Sequence, residues 1–444
     1  MIVNRIVQFF VNRDELMRPN LVVRSVLMMG IVFIGFAGLL IGLWPQRKDQ
    51  RISPVMESGK VPYSIQGPYP VGFTLLGVNS DFPLELAAWY PAVQVNEHET
   101  GISYPYEVKF GKPLGTLAVA SFEGKAILNA PPDPATSPYP LVILSPGFSI
   151  GSTSYAWLAE HLASYGFVVL SPDHNEQLDP ENQLWRAAIT RPQDILAVLT
   201  YVDEGVQAGG DFMGLIDQDT VAVIGHSYGG YTALAAAGAR MDTYSFRTQC
   251  EGALEREEPG AWLCEKLLPH MADMADLAGL DSIPDGLWPT WAEDQVDAIV
   301  PMAGDAFFFG QAGLSEISVP VMAIGGTADA DSPYMWGTYP TFEYASSTTK
   351  VRIALNDAEH MIFTGPCEKI PWYLRIFSGE FCSDPSWDRT YAHRLIKHFA
   401  TAFLLAELKH NPDAAAVLVQ DDIDFQGVDY KAGGFKESNI ESDN

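Results

Sequence analysis

Short apolar runs recur along most of this chain, and Gly, Pro or Asp ends most of them. Two near the N-terminal end, "YPVGFTLLGV" and "PLELAAWYPA", predict paired β-segments. Later runs predict further strands: "PLVILSPG", "FVVLSPD", "DTVAVIG", "VDAIVPMAG", "VPVMAIGG" and "KVRIALND". Runs of this length, apolar at nearly every position, are typical of strands buried on both faces of a parallel sheet.

Segments with helical spacing lie between these runs. "AWLAEHLASYG", "RPQDILAVLTYVDEG" and "YTALAAAGA" each predict a helix, the second with Pro192 near its start. Strands alternating with helices predict an α/β fold with a mostly parallel, doubly wound sheet. We place this domain at residues 66–411.

Two stretches depart from the alternation. Residues 240–293 are helical, irregular and Trp-rich, and they are too long for an ordinary connection. We expect them to form a cap inserted over the strand ends. Residues 412–444 are acidic and contain several glycines, which predicts a loosely ordered tail.

The N-terminal region predicts a membrane anchor. Ser25 to Trp44 carries no charge and matches the roughly 20 residues of one helical crossing. Basic residues precede it, which favours a cytoplasmic segment 1–24, although basic residues also follow it. The alternative is a cleaved signal peptide, but no A-x-A-like site follows. After a polar linker at 45–65, the domain at 66–411 is expected on the periplasmic or extracellular side.

Charge narrows the range of partners. The 444 residues include 55 acidic and 27 basic ones, a formal net charge of -28. Such a balance argues against nucleic acid or an anionic membrane surface as a partner of the domain after the anchor. The membrane contact that we expect is the one through the N-terminal helix.

The four cysteines fall into two local pairs without the C-x-x-C spacing of a zinc site. Beyond an export anchor, their even number predicts two disulfides. Three connectivities are possible in principle, and the pairwise spacing favours Cys250–Cys264 and Cys367–Cys382. In a cytosolic domain the same residues would instead be four reduced, buried thiols.

A nucleophile motif follows the strand "DTVAVIG". Gly225-His226-Ser227-Tyr228-Gly229 fits G-x-S-x-G, in which small neighbours permit a sharp turn that exposes the serine hydroxyl. A strand before it and a helix after it supply the expected context. Ser227 is therefore the candidate nucleophile.

An acid and a histidine follow in the order that this architecture expects. Asp329 comes after "VPVMAI" and His360 after "KVRIAL", so all three candidates lie at carboxyl ends of strands. An imidazole can take the proton of a serine hydroxyl, and a carboxylate fixes the imidazole tautomer. Ser227, Asp329 and His360 are the predicted catalytic triad.

The expected oxyanion hole consists of two backbone N–H groups. Tyr228, directly after the serine, supplies one, and Phe148 in "SPGFSIG" supplies the second. His226 is interpreted as a packing residue and His174 as a pocket or loop-stabilising residue. No metal-ligand spacing and no phosphate-binding loop is present, so no cofactor is expected.

The chain resembles the bacterial dienelactone-hydrolase-like proteins related to platelet-activating-factor acetylhydrolase, over roughly Gly67 to Leu408. The motifs are "GPYPVGFTLL", "AAWYPA", "LSPGFS", "RPQDI", "GHSYGGYTAL", "EHMIFTGPC" and "FCSDPSWDRTYAHRLIKHF". The resemblance implies an α/β-hydrolase fold and an exported serine ester hydrolase whose triad is Ser227, Asp329 and His360. Dienelactone hydrolases themselves use a cysteine where Ser227 stands, which argues against a dienelactone substrate.

The acid has a second candidate. Asp305 ends the preceding strand, where the eukaryotic acetylhydrolase branch of the resemblance places its acid, and Asp331 is a lesser rival. The Gly325-Gly326 turn and the following Pro333 favour Asp329. The aromatic run after Asp305 instead suits a pocket wall.

The sequence predicts an esterase acting on a small-molecule or lipid-like ester. The alternatives are a serine peptidase of the prolyl-oligopeptidase type and a membrane-anchored, non-catalytic scaffold. A peptidase of that type carries a large propeller domain, for which the residues between anchor and sheet are too few. The natural ester and the oligomeric state stay open.

Overall fold

The computed structural model describes residues 51–52, 60–78, 84–94, 101–207, 212, 214–291, 295–375, 381–420 and 423–435. The predicted cytoplasmic segment 1–24, the predicted anchor 25–44 and most of the linker 45–65 lie outside these ranges. Across the described ranges, no helix combines the length and the apolar character that a bilayer crossing requires.

Twelve strands are present in the described ranges. They are β1 (Val71–Val78), β2 (Leu84–Pro91), β3 (Ser103–Lys109), β4 (Thr116–Glu123), β5 (Ile127–Leu128), β6 (Tyr139–Ser145), β7 (Val168–Pro172), β8 (Ile216–His226), β9 (Ala298–Met302), β10 (Val321–Gly326), β11 (Lys350–Leu355) and β12 (Val428–Gly433).

All strands except β3 and β4 form one sheet, in the order β12-β11-β10-β9-β8-β6-β7-β2-β1-β5. From β11 to β7 the neighbours are parallel, in register pairs such as Val223↔Ile299 and Ile143↔Val223. The strands β2 and β12 join antiparallel on either side. The predicted parallel arrangement is therefore confirmed for the centre, and the whole sheet is mixed.

The α-helices connect and cover these strands. They are α1 (Ala156–Ala163), α2 (Pro180–Gly205), α3 (Tyr228–Ala236), α4 (Thr243–Arg256), α5 (Ala261–Leu267), α6 (Met271–Leu277), α7 (Gly310–Leu314), α8 (Thr338–Tyr344), α9 (Arg389–Lys409) and α10 (Pro412–Ala416).

The sheet has a hydrophobic core on each face. Along β6, Leu141 and Ile143 point into the core that α2 and α3 cover, while Val142 and Leu144 point into the core that α1 and α9 cover. Both sets are completely buried. Burying one such side chain stabilises the fold by roughly 1.5–3 kcal/mol, which explains why the predicted strands are continuous apolar runs.

The helix predicted to begin near Pro192 begins at Pro180 instead, and Pro192 lies inside it. A proline within a helix removes the hydrogen bond to the carbonyl four residues earlier, here Ala188. The Tyr231 hydroxyl donates to that carbonyl over 2.6 Å. Because this side chain from α3 satisfies Ala188, α2 continues past the proline.

The predicted cap is helical and contains α4, α5 and α6. The disulfide Cys250–Cys264 joins α4 to α5. The Trp336 indole N–H donates to Glu258 over 3.0 Å, so the connection between these helices is held against the loop after Asp329. The second predicted disulfide, Cys367–Cys382, is also present, which confirms both pairings.

Two predictions about the ends of the domain are wrong for the residues that the structure describes there. Residues 412–435, expected in a loosely ordered tail, contain α10 and β12, and β12 pairs antiparallel with β11. Tyr430 of β12 is buried, stacks on Phe399 of α9 and donates to the Leu418 carbonyl over 2.7 Å, which anchors the strand. At the other end, Val61 within the expected polar linker is fully buried, and Pro62–Ser64 forms a 3-10 turn. In both segments a few apolar side chains pack against residues that are distant in sequence, which the composition of the segment does not reveal.

Candidate active site

Ser227 lies on a strained turn between β8 and α3. Its backbone has φ 58° and ψ -123°, a region that non-glycine residues rarely occupy. A Cβ on Gly225 would lie 2.0 Å from the carbonyl oxygen of Gly229, and a Cβ on Gly229 would lie 2.0 Å from that of Ser145. The turn therefore requires glycine at both positions of the motif.

Backbone hydrogen bonds hold this strained conformation. The Ser227 N–H donates to the Met302 carbonyl at the end of β9, over 2.9 Å. The Ser227 carbonyl accepts from Gly230 and Tyr231, at 2.8 and 3.1 Å. Ser227 is partly exposed although its neighbours in β8 and α3 are buried, so its hydroxyl is accessible.

Ser227, His360 and Asp329 form a hydrogen-bonded chain. Nε2 of His360 lies 2.8 Å from Oγ of Ser227. Nδ1 of His360 donates to Oδ2 of Asp329 over 2.7 Å. The three residues lie at the ends of β8, β11 and β10 respectively, as expected from the chain order.

The loop after β10 fixes the Asp329 carboxylate. Its Oδ1 accepts from the backbone N–H groups of Asp331 and Ser332, at 2.9 and 2.8 Å. The Asp329 side chain is completely buried. Because Oδ1 is held by the backbone, Oδ2 is free to orient the imidazole.

The carboxylate changes the basicity of His360. Burial disfavours the charged imidazolium, but the neighbouring Asp329 carboxylate outweighs this effect through charge and hydrogen bonding. The pKa of His360 is raised to about 9. An imidazole with this partner is a stronger base than a free one.

Asp305, the rival acid, is close to the site but makes no such bond in the described part of the chain. Its side chain is buried and its Oδ1 has no hydrogen-bond partner among the described residues. Burial raises the pKa of Asp305 to about 7. Asp329, rather than Asp305, therefore contacts the imidazole.

The two residues predicted to form the oxyanion hole lie against each other. The rings of Phe148 and Tyr228 are 6.0 Å apart in an edge-to-face arrangement. Tyr228 is the first residue of α3, where a backbone N–H has no acceptor within its own helix. Such an N–H, at the positive end of a helix, is suited to an anion.

The other histidines of the sequence analysis have structural partners. Nδ1 of His226 lies 2.6 Å from the Tyr155 hydroxyl, which agrees with a packing residue that also has polar contacts. His174 bonds Ser145 and Asp194, at 2.8 and 2.7 Å. It therefore stabilises the end of β6, one of the two roles considered for it.

The expected pocket wall after Asp305 is largely core. Phe308 and Phe309 are completely buried. Phe308 stacks on Phe246 of the cap at 5.3 Å, and Phe309 stacks on Tyr231 at 5.2 Å. These rings join the cap to α3 and do not line an open pocket.

Sequence reasoning missed two arginines beside the site, Arg191, which is completely buried, and Arg389, which is partly buried. Arg191 and Arg389 each donate hydrogen bonds to backbone carbonyls of a site loop, Arg191 to Pro146 and Arg389 to Met361 and Gly365. Both lie in quoted motifs, "RPQDI" and "WDRTY", but nothing in those letters indicates burial. In the described ranges, no cluster of three or more His, Cys, Asp or Glu residues has a metal-binding arrangement.

Comparison with known proteins gives partial matches. The family described as "PETase: PET hydrolase-like" matches residues 112–249. The bis(hydroxyethyl) terephthalate hydrolase of Streptomyces coelicolor is 35% identical over 136 residues, 31% of this chain and 40% of that protein. Cutinase 2 of Thermobifida cellulosilytica is 36% identical over 104 residues, 23% of this chain and 36% of that protein. A cutinase of Thermobifida fusca is 36% identical over 104 residues, 23% of this chain and 30% of that protein.

These matches support an ester hydrolase in part of the chain. The aligned stretches span less than half of each relative. The family match includes Phe148, Ser227 and Tyr228, and it ends before Asp329 and His360. The narrower resemblance to dienelactone-hydrolase-like proteins stays a prediction.

Proposed function

We propose that this protein is a serine carboxylic-ester hydrolase. The observation that carries the proposal is the hydrogen-bonded chain from Ser227 through His360 to Asp329, with the serine on a strained, accessible turn. The names of the relatives aligned with part of the chain, a terephthalate ester hydrolase and cutinases, support the same class.

The reaction proceeds through an acyl-enzyme. The Ser227 hydroxyl attacks the ester carbonyl while Nε2 of His360 takes its proton, since the two atoms are 2.8 Å apart. The Asp329 carboxylate keeps Nδ1 protonated and stabilises the imidazolium that forms. His360 then gives its proton to the leaving alcohol, and a water molecule activated by His360 hydrolyses the acyl-enzyme.

The N–H groups of Phe148 and Tyr228 stabilise the negative oxygen of the tetrahedral intermediate. Donors of this kind act most strongly when they are fixed before the reaction. The edge-to-face contact of the two side chains, and the position of Tyr228 at the start of α3, support this assignment.

The substrate class that we propose is a small or lipid-like ester, with aryl diesters such as bis(hydroxyethyl) terephthalate included. The relative of that name supplies the reason to include it. The two disulfides support a catalytic domain outside the cytosol. Attachment through residues 25–44 stays a prediction.

A substrate panel tests the proposal. Purified protein is assayed with p-nitrophenyl acetate, p-nitrophenyl butyrate, bis(hydroxyethyl) terephthalate and an aminoacyl arylamide. An esterase hydrolyses esters and leaves the arylamide intact. Cleavage of the arylamide alone would indicate a peptidase, and no turnover of any substrate, with no labelling by a fluorophosphonate, would indicate a scaffold.

A further inference from the structure

Arg191 is a completely buried charged side chain beside the loop that follows β6. Its guanidinium donates to the carbonyl oxygen of Pro146 over 2.7 Å and to that of Gly147 over 3.0 Å. Buried arginines are rare unless they are paired, because a buried charge is costly. The bonds to these two carbonyls indicate that Arg191 fixes the conformation of the loop.

Ser149, two residues after Gly147 in the same loop, is held by Glu176, the ion-pair partner of Arg191. Nε of Arg191 donates to Oε2 of Glu176 over 3.0 Å, and a second guanidinium nitrogen donates to Oε1. The same Oε1 accepts the backbone N–H of Ser149 over 2.6 Å. Burial by itself would raise the pKa of Glu176, but the neighbouring Arg191 outweighs it and lowers that pKa, so the pair is ionised.

These contacts determine where the Phe148 N–H points. In a planar trans peptide the carbonyl of one residue and the N–H of the next are antiparallel. Since the Gly147 carbonyl is directed at Arg191, the Phe148 N–H is directed away from it. Within the described part of the chain, that N–H has no hydrogen-bond acceptor. Ser149, on the other side, has φ 59°, a conformation that the Glu176 contact helps to maintain.

A second set of buried side chains stabilises the end of β6, where the loop of Phe148 begins. The Ser145 hydroxyl donates to Nε2 of His174 over 2.8 Å, and Nδ1 of His174 donates to Asp194 over 2.7 Å. Burial lowers the pKa of His174 well below its usual value, so the ring is neutral. Ser145 is completely buried and no substrate reaches it. This Ser–His–Asp chain therefore stabilises the end of β6 and has no catalytic role.

We infer that Arg191 and Glu176 are positioning residues for the oxyanion hole. They fix residues 146–149 so that the Phe148 N–H faces the reacting carbonyl before substrate arrives. The inference rests on the proposed esterase function. If the inference holds, ester hydrolysis depends on a buried ion pair outside the triad. This pair contacts neither the substrate nor His360.

The test uses two variants of the full chain. Arg191→Lys keeps the charge but loses the planar fork that bonds two carbonyls and a carboxylate. The double variant R191M with E176L leaves no unpaired buried charge, so we expect it to fold even where single removal would not, and circular dichroism checks this. With p-nitrophenyl butyrate we expect kcat to fall about 10²-fold in both variants, because a displaced donor loses most of its effect.

Three readouts separate positioning from general damage. KM should stay close to that of wild type, and the midpoint of the pH–rate profile should not move, since His360 is untouched. Lys409→Met is the matched control, because Lys409 also donates to two carbonyls, those of Tyr165 and Gly166. It should lower stability and keep kcat.

The outcomes are distinct. If wild type is active and both Arg191 variants keep kcat within about threefold of it, the inference is overturned and the proposed function stands. A similar fall in kcat for Lys409→Met would also overturn it, since the loss would then follow stability. A wild type with no esterase activity overturns the proposed function and the inference together.

Discussion

Nε2 of His226 donates a hydrogen bond to the backbone carbonyl of His360 over 3.1 Å. The residue before the candidate nucleophile thus holds the candidate base. Its other ring nitrogen, Nδ1, accepts from the Tyr155 hydroxyl over 2.6 Å, and that hydroxyl accepts the Gly147 N–H over 3.3 Å. Burial lowers the pKa of His226 well below its usual value, which agrees with a neutral ring that donates on one side and accepts on the other.

His226 therefore connects the base to the loop of Phe148. We expect His226→Phe to keep the contact of the ring with Phe363 but to lower kcat up to about 10²-fold, because the backbone of His360 loses its donor. Separate measurement of kcat and KM checks this. Tyr155→Phe, which removes only the hydroxyl, should cause a smaller loss. Unchanged kcat in His226→Phe would leave His226 with a packing role alone.

Ser227→Ala removes the proposed nucleophile. The variant should fold, since the backbone bonds of the turn do not involve the hydroxyl, and it should lose a factor of about 10³ or more in ester turnover. Circular dichroism verifies folding. A fluorophosphonate probe should label wild type and not the variant, and a folded variant with near-normal turnover would refute the assignment.

Asp329→Asn tests the acid. An asparagine in this place favours the wrong imidazole tautomer, which can lower kcat by about 10⁴ when the geometry is kept. Asp305→Asn is the matched control, because Asp305 is an equally buried neighbour without a bond to His360 in the described part of the chain. It should retain most of the turnover. The reverse ranking of the two variants would make Asp305 the acid.

The pH dependence follows from His360. Only the neutral imidazole accepts the serine proton, and the pKa of His360 is raised to about 9. We therefore expect kcat/KM to rise with pH up to about 9. Asp329→Asn removes the charge that stabilises the imidazolium, so its profile should shift to lower pH. Rates corrected for spontaneous hydrolysis provide the check, and a profile with its midpoint near 6.5 in wild type contradicts it.

Each disulfide closes a loop, with sequence separations of 14 and 15. Such a loop contributes about 3 kcal/mol to the free energy of unfolding by chain entropy. The pair of changes C250A and C264A should cost about this much in urea denaturation and keep kcat. The pair C367A and C382A should also lower kcat, since that bridge follows the His360 loop. Thiol titration of unreduced, unfolded wild type should find no free thiol.

Strands buried on both faces were predictable, since their apolar runs need no knowledge of their neighbours. The proximity of Ser227, Asp329 and His360 was predictable from a second argument. Each follows a predicted parallel strand, and the carboxyl ends of such strands meet at one edge of the sheet. The structure brings these three side chains into hydrogen-bond distance. Their catalytic roles stay predictions.

Other features of the structure could not be predicted from the sequence, mainly because they depend on contacts between distant segments. Where α2 continues through Pro192, the freed carbonyl of Ala188 is satisfied by Tyr231 of another helix. The burial of Arg191 requires carbonyls that lie more than 40 residues earlier. The hairpin of β3 and β4, which we did not predict, has a register irregularity between Tyr106 and Glu107 that interrupts its alternation.

Strand β12 determines which strand forms one edge of the large sheet. A chain cut after residue 411 would leave the backbone of β11, Lys350–Leu355, as an open sheet edge. Open edges recruit strands from other chains and promote aggregation. With β12 in place, the edge instead presents the exposed charges of Asp429 and Lys431. A segment with one buried tyrosine thus makes the outermost strand a charged one, which disfavours intermolecular strand pairing, and expression studies of this protein should retain it.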